Sequence, residues 1–274
     1  MRLSIYTIVR DGLYLDIHIE AMLRHHLPLA DEIIVNEGYS SDGTYECITS
    51  IDPKIKVFRE KWDVGDSPGA LFALCKNRAR VRCTGDWCIL MDCDEFIPEW
   101  EFARIREELA TATSPIYSLR HKQFYANYKV VHARPEKIRW FVTKRQVHRN
   151  LPEIEVVGDG SNVVIDGRLD LMTGVEMTRD FEAHHTGQIR HPARLRQKWK
   201  IEHKLKLESP KQDRTPGFMF DLAPHDWFDK DFLDDLEPYE GPFVEAVRLN
   251  PAEFTRDDMK VYDYVKNRAR GGRP

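Results

Sequence analysis

Along the first 110 residues, short apolar runs alternate with amphipathic or polar stretches. Arg2 to Val9 is rich in β-branched and aromatic residues and reads as a strand. Asp11 to His26 carries a rough apolar stripe at Ile17, Ala21, Leu23 and Leu27, stops before Pro28 and reads as a helix. Glu32 to Asn36 is a second strand. It runs into Glu37-Gly38-Tyr39-Ser40-Ser41-Asp42-Gly43-Thr44, a loop dense in helix-capping residue types, before a helix over Tyr45 to Ser50. Ile55 to Arg59 is a short third strand, and Lys61 to Pro68 a polar loop. Gly69 to Arg82 reads as a basic helix carrying Lys76, Arg78, Arg80 and Arg82. Trp87 to Met91 is an apolar run with the character of a buried central strand. Four strand–helix alternations predict a mostly parallel α/β sheet with helices on both faces.

Past Pro98 a helix is expected to about Ala110, and then the pattern changes. Ile116 to Tyr125, Ile138 to His148, Ile154 to Val157 and Asn162 to Ile165 read as strands of a mixed sheet, with polar turns such as Gly158-Asp159-Gly160 between them. A basic helix is expected from Pro192 to about Leu207. The rest is acidic and aromatic, with Phe218, Phe220, Trp227, Phe228, Phe232, Tyr239 and Phe243; such a segment buries its rings only by packing on the body. Thr215-Pro216-Gly217 is the one candidate hinge. The division that follows is 1–214 as the main domain, with halves of about 1–110 and 111–214, and 215–274 as an extension packed on it.

Composition narrows the class. The chain has 274 residues, 42% hydrophobic and 31% charged, the profile of a globular domain with a sizeable core. No apolar run approaches the roughly 20 residues that span a bilayer, and Leu3 to Val9 is too short and polar for a signal peptide. Five cysteines without a CxxC pair imply reduced thiols and a cytoplasmic setting, and argue against a cysteine zinc site. The net charge of −4 is unevenly spread. Leu119 to Arg149 and Gly187 to Arg214 each hold nine Lys/Arg against one and three acids, whereas Thr215 to Asp258 holds three against twelve. Two basic middle segments suit a polyanionic ligand or an anionic surface; a solvated face balanced by the acidic tail is the competing explanation.

Candidate chemistry gathers where the apolar run at Trp87 ends: Asp92, Asp94 and Glu95 fall within four positions. On an extended chain Asp92 and Asp94 point the same way, with Cys93 turned away. Paired carboxylates repel unless a cation neutralises them, and a hard divalent metal does so while keeping positions open for phosphates. The loops at Arg10-Asp11, Glu37 to Thr44 and Asp92 to Glu95 are all strand ends, the edge where open α/β sheets bind ligands. The glycine patterns of dinucleotide and P-loop sites are lacking.

Three stretches in this order resemble the GT-A glycosyltransferases, family 2 in particular. They are the opening strand with Arg10-Asp11, the loop ending Ser40-Ser41-Asp42-Gly43-Thr44, and Lys76-Asn77-Arg78 followed by Gly85-Asp86-Trp87 and the DxD-like Asp92-Cys93-Asp94. The resemblance covers residues 1–110 well and 111–205 loosely. It implies a GT-A, Rossmann-like sheet flanked by helices, with a mixed-strand second half and a helical C-terminal region. It also implies a metal-dependent hexosyl transfer from a nucleotide sugar, UDP-linked, to an acceptor hydroxyl. Arg10, Glu37, Asp42, Lys76, Arg78 and Asp92 would then bind the donor. Glu37 stands where the family usually has an Asp contacting uracil or ribose, which leaves the base open. Asp92, Asp94 and His185 would hold Mn²⁺ or Mg²⁺, with His184 a weaker candidate.

An inverting enzyme needs a carboxylate base, and Glu153, Glu155 and Asp159 are the candidates; a retaining enzyme needs none. Tyr125, Tyr128, Trp140 and Phe141 in the basic stretches suit a glycan or lipid-linked acceptor, ranked above DNA carrying a hydroxylated base because no nucleic-acid module is present. A sugar nucleotidyltransferase and a non-catalytic polyanion-binding protein remain the readings from other classes.

Overall fold

A computed structural model describes residues 1–62, 70–132, 143–158, 160–167, 176–190, 194, 197–198, 236–248 and 256–270. The expected elements of the first half are present: β1 (Leu3–Val9), α1 (Ile19–His26), β2 (Glu32–Glu37), α2 (Thr44–Thr49), β3 (Ile55–Arg59), α3 (Leu71–Arg80) and β4 (Trp87–Leu90). A two-residue β5 (Glu95–Phe96) and a 3₁₀ turn (Glu99–Glu101) lead into α4 (Phe102–Thr111). The second half holds β6 (Ile116–Tyr125), β7 (Asn127–His132), β8 (Thr143–Arg149), β9 (Ile154–Val157), β10 (Asn162–Ile165) and the long β11 (Glu176–Gln188). It closes with β12 (Leu236–Pro238), α5 (Glu245–Arg248) and α6 (Arg256–Ala269).

Among the described residues one large sheet runs β12-β7-β6-β8-β4-β1-β2-β3, with β11 joined to β6 and β5; β9 and β10 form a separate hairpin. The β4-β1-β2-β3 block is parallel, and β8 joins β4 antiparallel, so the sheet changes character there, in line with the switch in the sequence pattern. β4 shows why its run is apolar throughout. Trp87 and Ile89 face one core with Leu3, Ile5, Leu23, Ile105 and Phe243, while Cys88 and Leu90 face a second with Tyr6, Ile34, Ala79, Ile154 and Val156. A strand buried on both faces loses the period-two alternation.

Several expectations need correction. The helix drawn over Asp11 to His26 begins only at Ile19, because the segment before it is tied to the loop after β2. The Asp11 amide donates to Ser40 Oγ at 2.8 Å, the Leu13 amide to Thr44 Oγ1 at 3.1 Å and the Tyr14 amide to Asp42 Oδ2 at 2.7 Å. Side-chain acceptors here outcompete helical carbonyls, and Asp11 and Asp16 take left-handed φ of 50° and 54°. β4 stops at Leu90, one residue early, and the Glu95 amide closes a turn onto the Asp92 carbonyl at 3.0 Å. Asp92 and Asp94 are therefore not alternate residues of an extended strand. β5, β7, β11 and β12 carry no clear period-two pattern and were not anticipated as strands. The Lys61–Pro68 loop (from 63), Ile138 to Phe141, Trp140, Asp159, most of the Pro192–Leu207 helix, the Thr215–Gly217 hinge and the aromatics from Phe218 to Phe232 lie outside the described residues. Of the tail aromatics named above, Tyr239 and Phe243 are described, and they stack edge-on against Phe124 at 5.1 and 4.5 Å between ring centres. The five cysteines are free thiols.

At the far end of the sheet from the strand carboxyl ends, Glu32 is a buried carboxylate with every oxygen occupied. Ser4 Oγ (2.7 Å), the Thr84 amide (2.6 Å), Thr84 Oγ1 (2.8 Å) and Lys56 Nζ (2.5 Å) donate to it. Burial alone would raise its pKa, but the bonds from Lys56, Ser4 and Thr84 outweigh that and hold it down at about 2. A depressed carboxylate contributes stability above its unfolded pKa of about 4.3 and loses it as the pH falls through the folded value. Glu32→Gln is expected to cost about 1–3 kcal/mol at pH 7. Urea midpoints of both proteins should converge between pH 4 and pH 2, and parallel midpoints across that range would show that the charge is not the source.

Candidate active site

Three strand ends meet at the carboxyl edge of the parallel block. The β1 and β2 ends are fastened together: besides the three bonds above, the Ser41 amide donates to Asp11 Oδ1 at 3.0 Å. Asp42 is the staple of its loop. It accepts the Thr44 amide at 3.0 Å and hydroxyl at 2.6 Å, and these bonds hold its pKa below the usual carboxylate range despite burial. Glu37 is fully buried with both oxygens engaged. One accepts the Ser40 amide; the other accepts the Tyr39 amide at 3.2 Å and Arg59 Nε at 2.6 Å. The Arg59 guanidinium lies between the Tyr39 and Tyr45 rings, 4.6 and 4.3 Å from their centres. Glu37 thus shapes the loop on which Tyr39 stands exposed, with φ 55°. Arg10 is exposed beside Asp11 at 3.6 Å.

The third strand end holds the densest chemistry. Asp92 accepts Lys76 Nζ on Oδ1, and Lys144 Nζ lies 3.3 Å from its Oδ2. Lys76, buried on α3, also reaches the Gly160 carbonyl at 2.9 Å. Asn77, next to it, receives the Val156 amide and donates to the Val156 carbonyl, both at 2.8 Å, and so pins the β9–β10 hairpin to α3. Glu95 is fully buried and pairs with Lys144; its Oε2 accepts Gln146 Nε2 at 2.6 Å and the Asp92 amide at 2.9 Å. Burial works against its ionised form, but the Lys144 charge holds Glu95 far below the usual carboxylate range; against burial of the lysine, the Glu95 and Asp92 charges raise Lys144 in turn.

Asp94 meets a different set. Arg190 pairs with its Oδ2, Lys198 Nζ stands 3.3 Å from the same oxygen, and His185 Nε2 lies 3.6 Å from Oδ1. Against burial, Lys198, His185 and Arg190 keep its pKa well below the ordinary value. Burial pushes His185 down to about 4, so its imidazole is neutral at pH 7. β5 brings it there, since Glu95 faces His185 and Phe96 faces His184 across the β5–β11 pair. His184 points the other way, stacked on Phe243 at 5.2 Å and against Phe124 at 4.9 Å.

The structure therefore gathers Lys76, Asp92, Asp94 and His185 and adds Glu95, Lys144, Arg190 and Lys198. It turns Arg78 toward Glu60, 3.2 Å away, and leaves Glu153 and Glu155 exposed on the hairpin. The added cations fall within the two basic segments, which charge counting had marked without singling out residues. Lys144, Gln146 and His148 alternate along β8, but Val147 is the lone apolar residue between them, so no pattern separated them from a solvated strand.

The family model for "Glycosyl transferase family 2" matches residues 10–162, which include the β1 and β2 loops, Lys76 and the carboxylate turn. The chain belongs to glycosyl transferase family 2. Among solved structures it is similar to S. aureus TarS 1-349 in complex with UDP-GlcNAc, at 13% identity over 76% of this chain and 67% of that one, with a TM-score of 0.45. A second TarS 1-349 structure is matched over 65% of its length. The mannosyltransferase PcManGT from Pyrobaculum calidifontis, in complex with GDP-Man and Mn2+, is 22% identical over 43% of this chain and 35% of its own, with a TM-score of 0.34. No curated protein matches. Among the described residues no helix is long and apolar enough to cross a membrane.

Gly187 is the close neighbour that this packing demands. A Cβ there would sit 2.7 Å from His185 Cε1 and 2.9 Å from Asp94 Oδ2. Gly187→Ala should cost about 1–3 kcal/mol in chemical denaturation by overpacking the pair. An unchanged midpoint would mean that the His185–Asp94 geometry is looser than described.

Proposed function

We propose that this chain transfers a hexosyl group from a nucleotide-sugar donor, UDP-linked, to an acceptor hydroxyl on a glycan or lipid-linked saccharide, using Mn²⁺ or Mg²⁺. The observation that carries the reading is the carboxylate–cation cluster at the carboxyl edge of the parallel strands of a family 2 chain. Anionic ligands of open α/β sheets bind at this edge.

The residues fit a divalent cation. Asp94 Oδ1 and the neutral His185 Nε2 stand 3.6 Å apart, a spacing that one ion between them satisfies. His185 Nδ1 is buried without a hydrogen bond among the described residues. Among them no group of three His, Cys, Asp or Glu side chains is placed to hold a metal ion, so such an ion would need its remaining ligands from the donor's phosphates. Asp94 and His185 would hold it, with Asp92 beside them. Such an ion, when bound, would supply Lewis-acid stabilisation of the departing diphosphate.

The chain's own residues do the rest. Lys198 and Arg190 lie on Asp94; Lys198, the more accessible, would meet phosphate oxygens, and the buried Arg190 would hold Asp94. Lys76 faces the same space from α3. The stapled loops of Arg10–Asp11 and Glu37–Thr44 form the nucleoside side of the edge, with Tyr39 as its exposed ring. Inversion would need a base, for which Glu153, Glu155 and Asp159 are the candidates.

Thermal shift against UDP, GDP, CDP, UDP-glucose, UDP-GlcNAc, GDP-mannose and ATP, with and without Mn²⁺, tests the reading. One nucleoside diphosphate should raise the melting temperature only with metal, by up to about 2.7 kcal/mol of stabilisation at a hundredfold excess over Kd. Asp94→Asn should lose that metal-dependent shift; full turnover by this variant would remove Asp94 from the site. Of Glu153→Gln, Glu155→Gln and Asp159→Asn, one is expected to lower the rate by about 10²–10⁴. Full rates in all three would place the base elsewhere or make the enzyme retaining.

A further inference from the structure

We propose that Lys144 is a positioning residue for the donor site: anchored by Glu95, it fixes Asp92 at the edge of the sheet. This rests on the reading that Asp92 belongs to that site.

Two lysines hold Asp92, one on each oxygen, and their surroundings differ. Lys76 has one carboxylate partner, its second bond going to the Gly160 carbonyl. Lys76 therefore depends on no carboxylate besides Asp92 among the described residues. Lys144 has two carboxylate partners, Asp92 and the fully buried Glu95. Leaving Asp92 would not free it, since leaving Glu95 would strand a buried charge.

Glu95 is itself held from three strands. Gln146 on β8 bonds its Oε2, His121 on β6 stands 3.7 Å from its Oε1, and its own place on β5 is set by pairing with His185. It also accepts the Asp92 amide. One buried carboxylate therefore fixes the Asp92 backbone directly and the Asp92 side chain through Lys144. Asp92 is the part-exposed member of the group, its side chain 29% accessible against 5% for Lys144 and 0% for Glu95. It is the residue that meets a ligand, and the other two are its mount.

The experiment separates a positioning role from a structural one. Lys144→Met alone leaves Glu95 unpaired and should destabilise the fold. The double variant Glu95→Gln/Lys144→Met removes both charges and keeps a side-chain acceptor for the Asp92 amide, so stability should recover. Isothermal titration with UDP and Mn²⁺, and with GDP and Mn²⁺, is then run on the wild type, the double variant, Asp92→Asn and the triple combination. The double variant should fold with a urea midpoint near wild type yet bind the preferred nucleotide at least tenfold more weakly. The triple variant should be no weaker than Asp92→Asn, because the effect passes through Asp92. Binding by the double variant within twofold of wild type would overturn the proposal, as would additive losses in the triple. Failure of the wild type to bind either nucleotide would instead overturn the donor-site reading beneath it. Val163→Ala, a core truncation in the β9–β10 hairpin, supplies the stability control and should leave the dissociation constant within twofold.

Discussion

The site depends on the ion pair between Lys144 and Glu95. Neither side chain is accessible enough for water to stabilise its charge, so each exists in charged form because the other does. The turn that carries Asp92 is arranged around that pair. Gln146 and the Asp92 amide occupy the remaining Glu95 oxygen, and Asp92 takes the far side of the lysine. A second set (Asp94, Arg190, Lys198 and His185) completes the edge and is linked to the first through β5, a strand of two residues.

How much of this was legible depends on the range of the interactions. The parallel half followed from apolar runs and turn residues, since each element's pattern is written within its own ten or so positions. Asp92 and Asp94 stood out because they end such a run. Their partners did not. Lys144, Arg190 and Lys198 lie between about 50 and 104 residues away in sequence, and nothing local distinguishes a buried lysine from a solvated one. The basic segments gave the neighbourhood and only the sheet order gave the residue. The boundary of α1 was misread for a related reason, as its first turn is surrendered to acceptors from the loop after β2.

The two loops at the ends of β1 and β2 show the same economy on a smaller scale. Three side chains of one loop, Ser40, Asp42 and Thr44, and the Ser41 amide bond to the other loop, and Glu37 fastens its own loop from beneath. Irregular backbone held by this many side-chain bonds is ordered before any ligand arrives, which lowers the entropic cost of binding at such an edge. Tyr39 stands on that base with Arg59 packed behind its ring.

The histidine doublet on β11 has a consequence for how the chain finds its register. His185 faces Asp94 and His184 faces Phe124 and Phe243. A slip of one residue exchanges the two faces of a strand, and here it would still deliver an imidazole to Asp94. Polar chemistry therefore discriminates little between the two pairings. Selection falls to the neighbours: the slip would carry Ala183 and Thr186 to new faces and move Gly187 from a spot where an added Cβ would lie 2.7 Å from His185 and 2.9 Å from Asp94. The smallest residue of the strand, rather than its most reactive one, is what makes the correct pairing the only comfortable one.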